Sequence, residues 1–188
     1  MSMSQDAFLL LNLAWAGYEV WLGIRRRTAV GESRDQGTLG LLWRMLLLGI
    51  GVAIALRSTG WGSLPAAWQP ALHWGGTALI AAGLALRCWA VRVLARFFTV
   101  DVGIRPDHQL VSAGPYRWLR HPSYTGALLA FYGLGIGLGN IASLAVLAGL
   151  VTWAFLRRIR IEEQALREAF PQAYRAYAAR TWRLFPGL

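Results

Sequence analysis

YTGALLAFYGLGIGLGNIASLAVLAGLVTWAFL, from Tyr124 to Leu156, contains no Asp, Glu, Lys or Arg. An uncharged run of this length reads as membrane-embedded helix, and the Gly139-Asn140 pair inside it is a turn signal. The run divides into two spans, Tyr124 to Gly137 and Ile141 to Leu156, folded as a tight hairpin. The first is short for a hydrocarbon core of about 30 Å, which takes about 20 helical residues. The hairpin is therefore not expected to cross the full thickness independently. Gly133, Gly135, Gly137 and Gly139 would let its backbones approach closely.

Upstream, three more apolar runs, about Ala7 to Ile24, Leu39 to Leu56 and Ala71 to Val91, complete a set of five. Across 188 residues the chain is 56% hydrophobic with ten Trp and a mean hydropathy of +0.40, too apolar for an ordinary soluble domain. The expected fold is an all-α integral membrane protein with about five transmembrane helices in a single membrane domain. Residues 1–91 hold three N-terminal spans, and 92–188 hold a loop, the hairpin and C-terminal helices.

All 19 basic residues are Arg. Arg25, Arg26, Arg27 and Arg34 follow the first span, and Arg92, Arg96, Arg105, Arg117 and Arg120 follow the third. Arg157, Arg158, Arg160, Arg167, Arg175, Arg180 and Arg183 follow the fifth, whereas the opposite side has only Arg57. Positive-inside bias then puts the N-terminus outside and both the third loop and the tail in the cytoplasm. The net charge of +10 is a matter of topology and of membrane lipid, and no soluble basic module for nucleic acid is visible. The N-terminus lacks the basic region of a cleaved signal peptide. Arg-only usage points to a GC-rich genome and a bacterial inner membrane.

Three charges fall inside spans, Glu19, Arg44 and Arg87, all within about two turns of the basic side, where they can pair or snorkel. His73 is expected at the interface. Cys88 is the sole cysteine, so neither a disulfide nor a cysteine metal cluster is expected, and no metal site is assigned.

Residues His108 to Gly126, HQLVSAGPYRWLRHPSYTG, concentrate two His, two Tyr, two Arg and a Gly-Pro turn between apolar segments. A basic interfacial loop with aromatic anchors would share this composition. Beyond the hairpin, Arg158 and Glu162 stand four apart on one helical face, Glu163 and Arg167 on the next, and Leu166 and Phe170 extend the stripe. Phe170-Pro171 ends this helix and starts another, on which Tyr174 and Tyr177 repeat at helical spacing.

Taken together, H-x-L-V-x-x-G-P-Y-x-x-x-R-H-P-x-Y-x-G, a short apolar hairpin, then R-x-x-x-E-E-x-x-L-x-x-x-F-x-x-x-Y-x-x-Y resembles the isoprenylcysteine carboxyl methyltransferase family. That family groups with the phospholipid methyltransferases. The resemblance covers about Phe98 to Pro186; the first three spans match only as generic apolar helices. It implies an S-adenosylmethionine site at His108, Gln109, Leu110, Val111, Tyr116, His121, Pro122, Ser123 and Tyr124, with Glu162 as the cofactor-binding carboxylate. The family's substrate-side arginine falls on Arg158, so Arg158 and Glu162 are the implied catalytic pair. Asp101 stands where eukaryotic members carry Gln, and Phe170-Pro171 replaces the usual Phe-Gly.

The residue types suit methyl transfer, an in-line displacement that needs mainly proximity and orientation. Glu162 suits a cationic ligand, and Arg158 offers a fork for a carboxylate or phosphate. A carboxylate acceptor is already ionised at neutral pH; an amine would need a base, with His121 and Glu163 as candidates. The expected partner is a lipid-like small molecule reaching the site laterally from the bilayer, with carboxylate O-methylation favoured. A bacterial source disfavours a prenylated protein. Two rivals remain open: an NADPH-dependent membrane reductase of the steroid-reductase type, and a non-catalytic accessory protein. Such reductases show P-N-Y-x-G-E, where this chain reads Pro122-Ser123-Tyr124-Thr125-Gly126-Ala127.

Overall fold

Capping residues set where the helices begin. Ser2 and Gln5 form a capping box, Gln5 N donating to Ser2 Oγ at 3.4 Å and Ser2 N to Gln5 Oε1 at 2.9 Å, so α1 (Met3–Arg25) starts before its apolar run does. The computed structural model describes residues 2–26, 35–103 and 107–187, and its named elements are all helical. Arg27, Arg34 and Arg105, counted above toward the basic side, lie outside the described residues. After α1 come α2 (Thr38–Thr59), α3 (Gln69–Leu94), α4 (Pro122–Gly137), α5 (Ile141–Ala169) and α6 (Pro171–Ala179). Pro122 and Pro171 sit in first turns, where a missing N–H removes no helical bond. Gly139 (φ +64°) makes the expected turn, and Asn140 caps α5 by accepting from Ser143 N at 2.9 Å.

The fifth helix departs from expectation. It runs for 29 residues without a break at Leu156, because the helix-forming segment after it simply propagates the span as far as Phe170-Pro171. Its length of about 43 Å exceeds the hydrocarbon core, so the hairpin is lopsided rather than short. Four helical segments, including Ala66–Phe97 around α3, are long and apolar enough to cross a membrane. The 16-residue α4 is not among them. None of its residues is exposed, so it is lined by protein rather than lipid. That explains its apolar character all round.

The close helix approach lies mainly elsewhere than predicted. Gly76 and Gly83 of α3 meet Gly133 and Gly126 of α4 in antiparallel pairs. A Cβ on Gly126 would lie 2.5 Å from the Gly83 carbonyl oxygen, and one on Gly133 2.6 Å from that of Gly76. Only Gly135 serves the hairpin, against Leu144, while Gly137 admits the ring of Phe8. Through this α3–α4 contact, the most extensive in the molecule, the helices alternate in direction. One end gathers Arg26, whose carbonyl accepts from Val100 N at 2.7 Å, with Asp35 and the 108–121 loop. The other holds Asn140, whose Nδ2 donates to the Trp61 carbonyl at 2.7 Å.

Of the charges inside spans, Glu19 and Arg87 pair with each other (Arg87 Nε to Glu19 Oε1, 2.5 Å), and the exposed Arg44 turns back to the Gly40 carbonyl at 3.2 Å. His73 is buried rather than interfacial. It stacks on Phe8 at 5.4 Å, and Gln69 Nε2 lies 3.0 Å from its Nε2, because α1 and α3 pack at that end.

The glycine contact yields a test. Gly83→Ala should lower the thermal stability of the detergent-purified protein by about 1–3 kcal/mol through overpacking. Gly17→Ala, on α1 with open space around it, should be neutral or stabilise by about 1 kcal/mol. Equal effects at both positions would refute the α3–α4 packing.

Candidate active site

The 108–121 loop folds across the basic end of the bundle and is held there by the C-terminal tail. Arg120 N donates to the Trp182 carbonyl at 2.7 Å, Trp182 N to that of Trp118 at 2.8 Å, and Tyr177 Oη to that of Tyr116 at 2.8 Å. At the centre is Glu163, 1% exposed. Its carboxylate receives Arg120 Nε (3.2 Å), Arg167 Nη2 (3.1 Å) and Arg183 Nη2 (2.7 Å), and His121 Nε2 lies at 3.3 Å. The sequence had allowed Glu163 as a base; the structure engages its carboxylate with these donors. It is a buried anion neutralised by cations from the loop, its own helix and the tail.

Beneath this clasp lies a cavity. His108, Gln109, Leu110, Val111, Tyr116, His121, Ser123, Tyr124 and Glu162 line it, along with Asp101. Pro122 does not; it is buried in the first turn of α4. Sequence reasoning missed Phe97, Phe98 and Thr99, which follow α3, and gave Tyr174 and Tyr177 no site role. The last two carried a signal in their helical spacing; the others carried none. Burial pushes the Tyr177 phenol up to about 12, so it is a neutral donor at ordinary pH. The Tyr174 hydroxyl is buried and makes no hydrogen bond among the described residues.

A second, apolar chamber lies among α1, α2, α4 and α5. It shares Phe98, Thr99 and Tyr124 with the first. Tyr124 is the junction: its hydroxyl donates to Glu162 Oε2 at 2.6 Å and accepts from Arg158 Nε at 3.0 Å. Glu162 and Arg158 thus meet through a tyrosine rather than each other.

Arg158, 1% exposed, does not present the open fork expected. Nη1 bonds Asp35 Oδ1 at 2.6 Å and Thr38 Oγ1 at 3.1 Å, and Nη2 donates to the Val100 carbonyl. With Nε on Tyr124, four of the five guanidinium hydrogens are engaged among the described residues. Asp35 was not foreseen. Its carboxylate also receives Leu39 N at 2.8 Å, so it ties the start of α2 to α5. Burial alone would raise this carboxyl, but the Leu39 amide and the Arg158 charge outweigh it and hold it below the usual range.

The profile of the phospholipid methyltransferase family matches residues 71–173. Protein-S-isoprenylcysteine O-methyltransferase B of Arabidopsis thaliana is 37% identical over 57% of this chain and 58% of its own length. Protein-S-isoprenylcysteine O-methyltransferase of Dictyostelium discoideum is 31% identical over 68% of this chain and 55% of its own. The chain thus spans little more than half the length of these relatives. The solved eukaryotic intramembrane Ras methyltransferase ICMT superposes with a TM-score of 0.64 at 27% identity, covering 75% of this chain and 52% of that one.

Asp35 gives the site a pH signature. Because its folded pKa is depressed, the stability it contributes is complete above the unfolded value of about 3.9. That stability is lost as pH falls through the lower folded value. Asp35→Asn should lower stability near neutrality by about 3–5 kcal/mol, since Arg158 is left buried without its counter-ion. It should also flatten thermal unfolding against pH in the acid range below about pH 4. An Asn variant as stable as the parent near neutrality would refute the pair.

Proposed function

Because the chain belongs to the phospholipid methyltransferase family, we propose that this integral membrane protein is an S-adenosylmethionine-dependent methyltransferase acting on a small lipid-like acceptor. The observation that carries this reading is the meeting, at Tyr124, of a cavity of mixed polar and apolar lining with an apolar chamber. One suits a water-soluble cofactor and the other the tail of an amphiphile. The names of the relatives favour methyl transfer over the NADPH-dependent reduction that the sequence left open. By the positive-inside bias, the Arg-rich end with the first cavity faces the cytoplasm.

The residues present fit the cofactor. Glu162, its side chain 31% exposed, presents a carboxylate aimed by Tyr124, suited to an ammonium or ribose hydroxyl. The segment 108–111, Phe97, Phe98 and Tyr116 offer walls for an adenine, and Tyr174 adds a buried hydroxyl. When bound, S-adenosylmethionine supplies an electrophilic methyl group for in-line displacement. The chain's own contribution is orientation and exclusion of water. Arg158 fixes the Tyr124 hydroxyl and its positive charge lines the chamber, which favours an acceptor with an anionic oxygen such as a carboxylate. Such a nucleophile needs no base. For an amine, His121 is the remaining candidate, lining the cavity with Nδ1 at 3.9 Å from Glu162.

Calorimetric titration of the detergent-purified protein tests this. S-adenosylhomocysteine should bind saturably, Glu162→Ala should weaken it by about tenfold or more, about 1.4 kcal/mol, and NADPH should not bind. Saturable binding of NADPH in place of S-adenosylhomocysteine would refute the proposal.

A further inference from the structure

Of the residues lining the apolar chamber, Trp15 on α1, Ile50 on α2 and Phe131 on α4 lie farthest from the basic end along their helices. Trp15 and Phe131 pack edge to face with centroids 4.6 Å apart at 79°, and each is 6% exposed. The Trp15 indole N–H donates to Glu19 Oε1 at 3.3 Å. Glu19 Oε2 accepts from Arg87 Nη2 at 2.6 Å, and Arg87 Nη1 donates to Ser123 Oγ at 2.8 Å in the first turn of α4. An intramembrane ion pair is costly to keep. Here it tethers the indole to the helix that carries Tyr124, fixing a side chain that would otherwise pivot about its torsions.

The depth of the chamber follows from helix geometry. The rise from Tyr124 to Phe131 is about 10 Å, and from Leu39 to Ile50 about 16 Å. Half of the hydrocarbon core is about 15 Å. We propose that Trp15, backed by Phe131 and Ile50 and tethered through Glu19 to Arg87, is the floor that limits the length of the acceptor's apolar tail. The acceptor is then an amphiphile whose tail reaches about half the bilayer core or less. This rests on the reading of the chamber as the acceptor's. A longer tail either displaces the indole from Glu19 and Phe131 or holds its reactive group short of Tyr124.

The test uses full-length protein in detergent and homologous series of n-alkyl thioether carboxylates, amines and thiols of increasing chain length. Binding is read by calorimetry with and without S-adenosylhomocysteine. Parent affinity should rise with chain length and then fall by about tenfold past a limit shared by every series that binds. Trp15→Ala should move the limit to longer chains, and Trp15→Phe, which keeps a ring in the packing, should move it less. A merely structural Trp15 would lower stability and leave the limit in place. An unmoved limit in both folded variants overturns the proposal, as does a parent protein that binds S-adenosylhomocysteine but no amphiphile. A length limit that shifts as expected in protein that does not bind S-adenosylhomocysteine would instead refute methyl transfer and uphold the floor.

Discussion

Three arginines and a histidine converge on the carboxylate of Glu163, and much of the basic end follows from that requirement. A carboxylate at 1% exposure keeps its charge only if cations and donors replace the water it has lost. Its own helix supplies Arg167, the loop supplies Arg120 and His121, and the tail supplies Arg183. Satisfying it obliges the chain after Pro171 to fold back across the loop. That return places Tyr174 and Tyr177 on the cavity wall. The wall is a by-product of burying one anion.

A second constraint acts from within the bundle. The glycine pairs let α3 and α4 approach at backbone distance, and only then can Arg87 reach both Ser123 on α4 and Glu19 on α1. Tyr124, next along α4, is consequently held at a fixed height between the two chambers. Packing of residues without side chains thus controls the placement of the hydroxyl on which Glu162 and Arg158 meet.

The spans were legible because the apolar runs are long and their punctuation is strong: Gly139-Asn140 and Phe170-Pro171 stop helices where they stand in the sequence. The run of α5 past Leu156 was not, since hydropathy marks where lipid contact ends and not where a helix ends. Within the site, the His108–Tyr124 stretch declared itself by its density of functional side chains. Asp35 did not, because nothing local distinguishes a loop aspartate from one paired with an arginine 123 residues away. For the same reason the sequence could place Arg158 at the site but not show that its donors were already engaged. Pair partners across long separations are a property of the fold, while periodicity and turn chemistry are local.

The absence of lysine has a consequence for the interior. A lysine at the position of Arg87 or Arg158 could shed its proton when buried and become a neutral amine. A guanidinium does not do this at any pH a cell reaches. The two cations beside the apolar chamber are therefore permanent charges. The chamber wall behaves as an electret: its positive poles are built in with the covalent structure and stand beside Tyr124 whatever the pH.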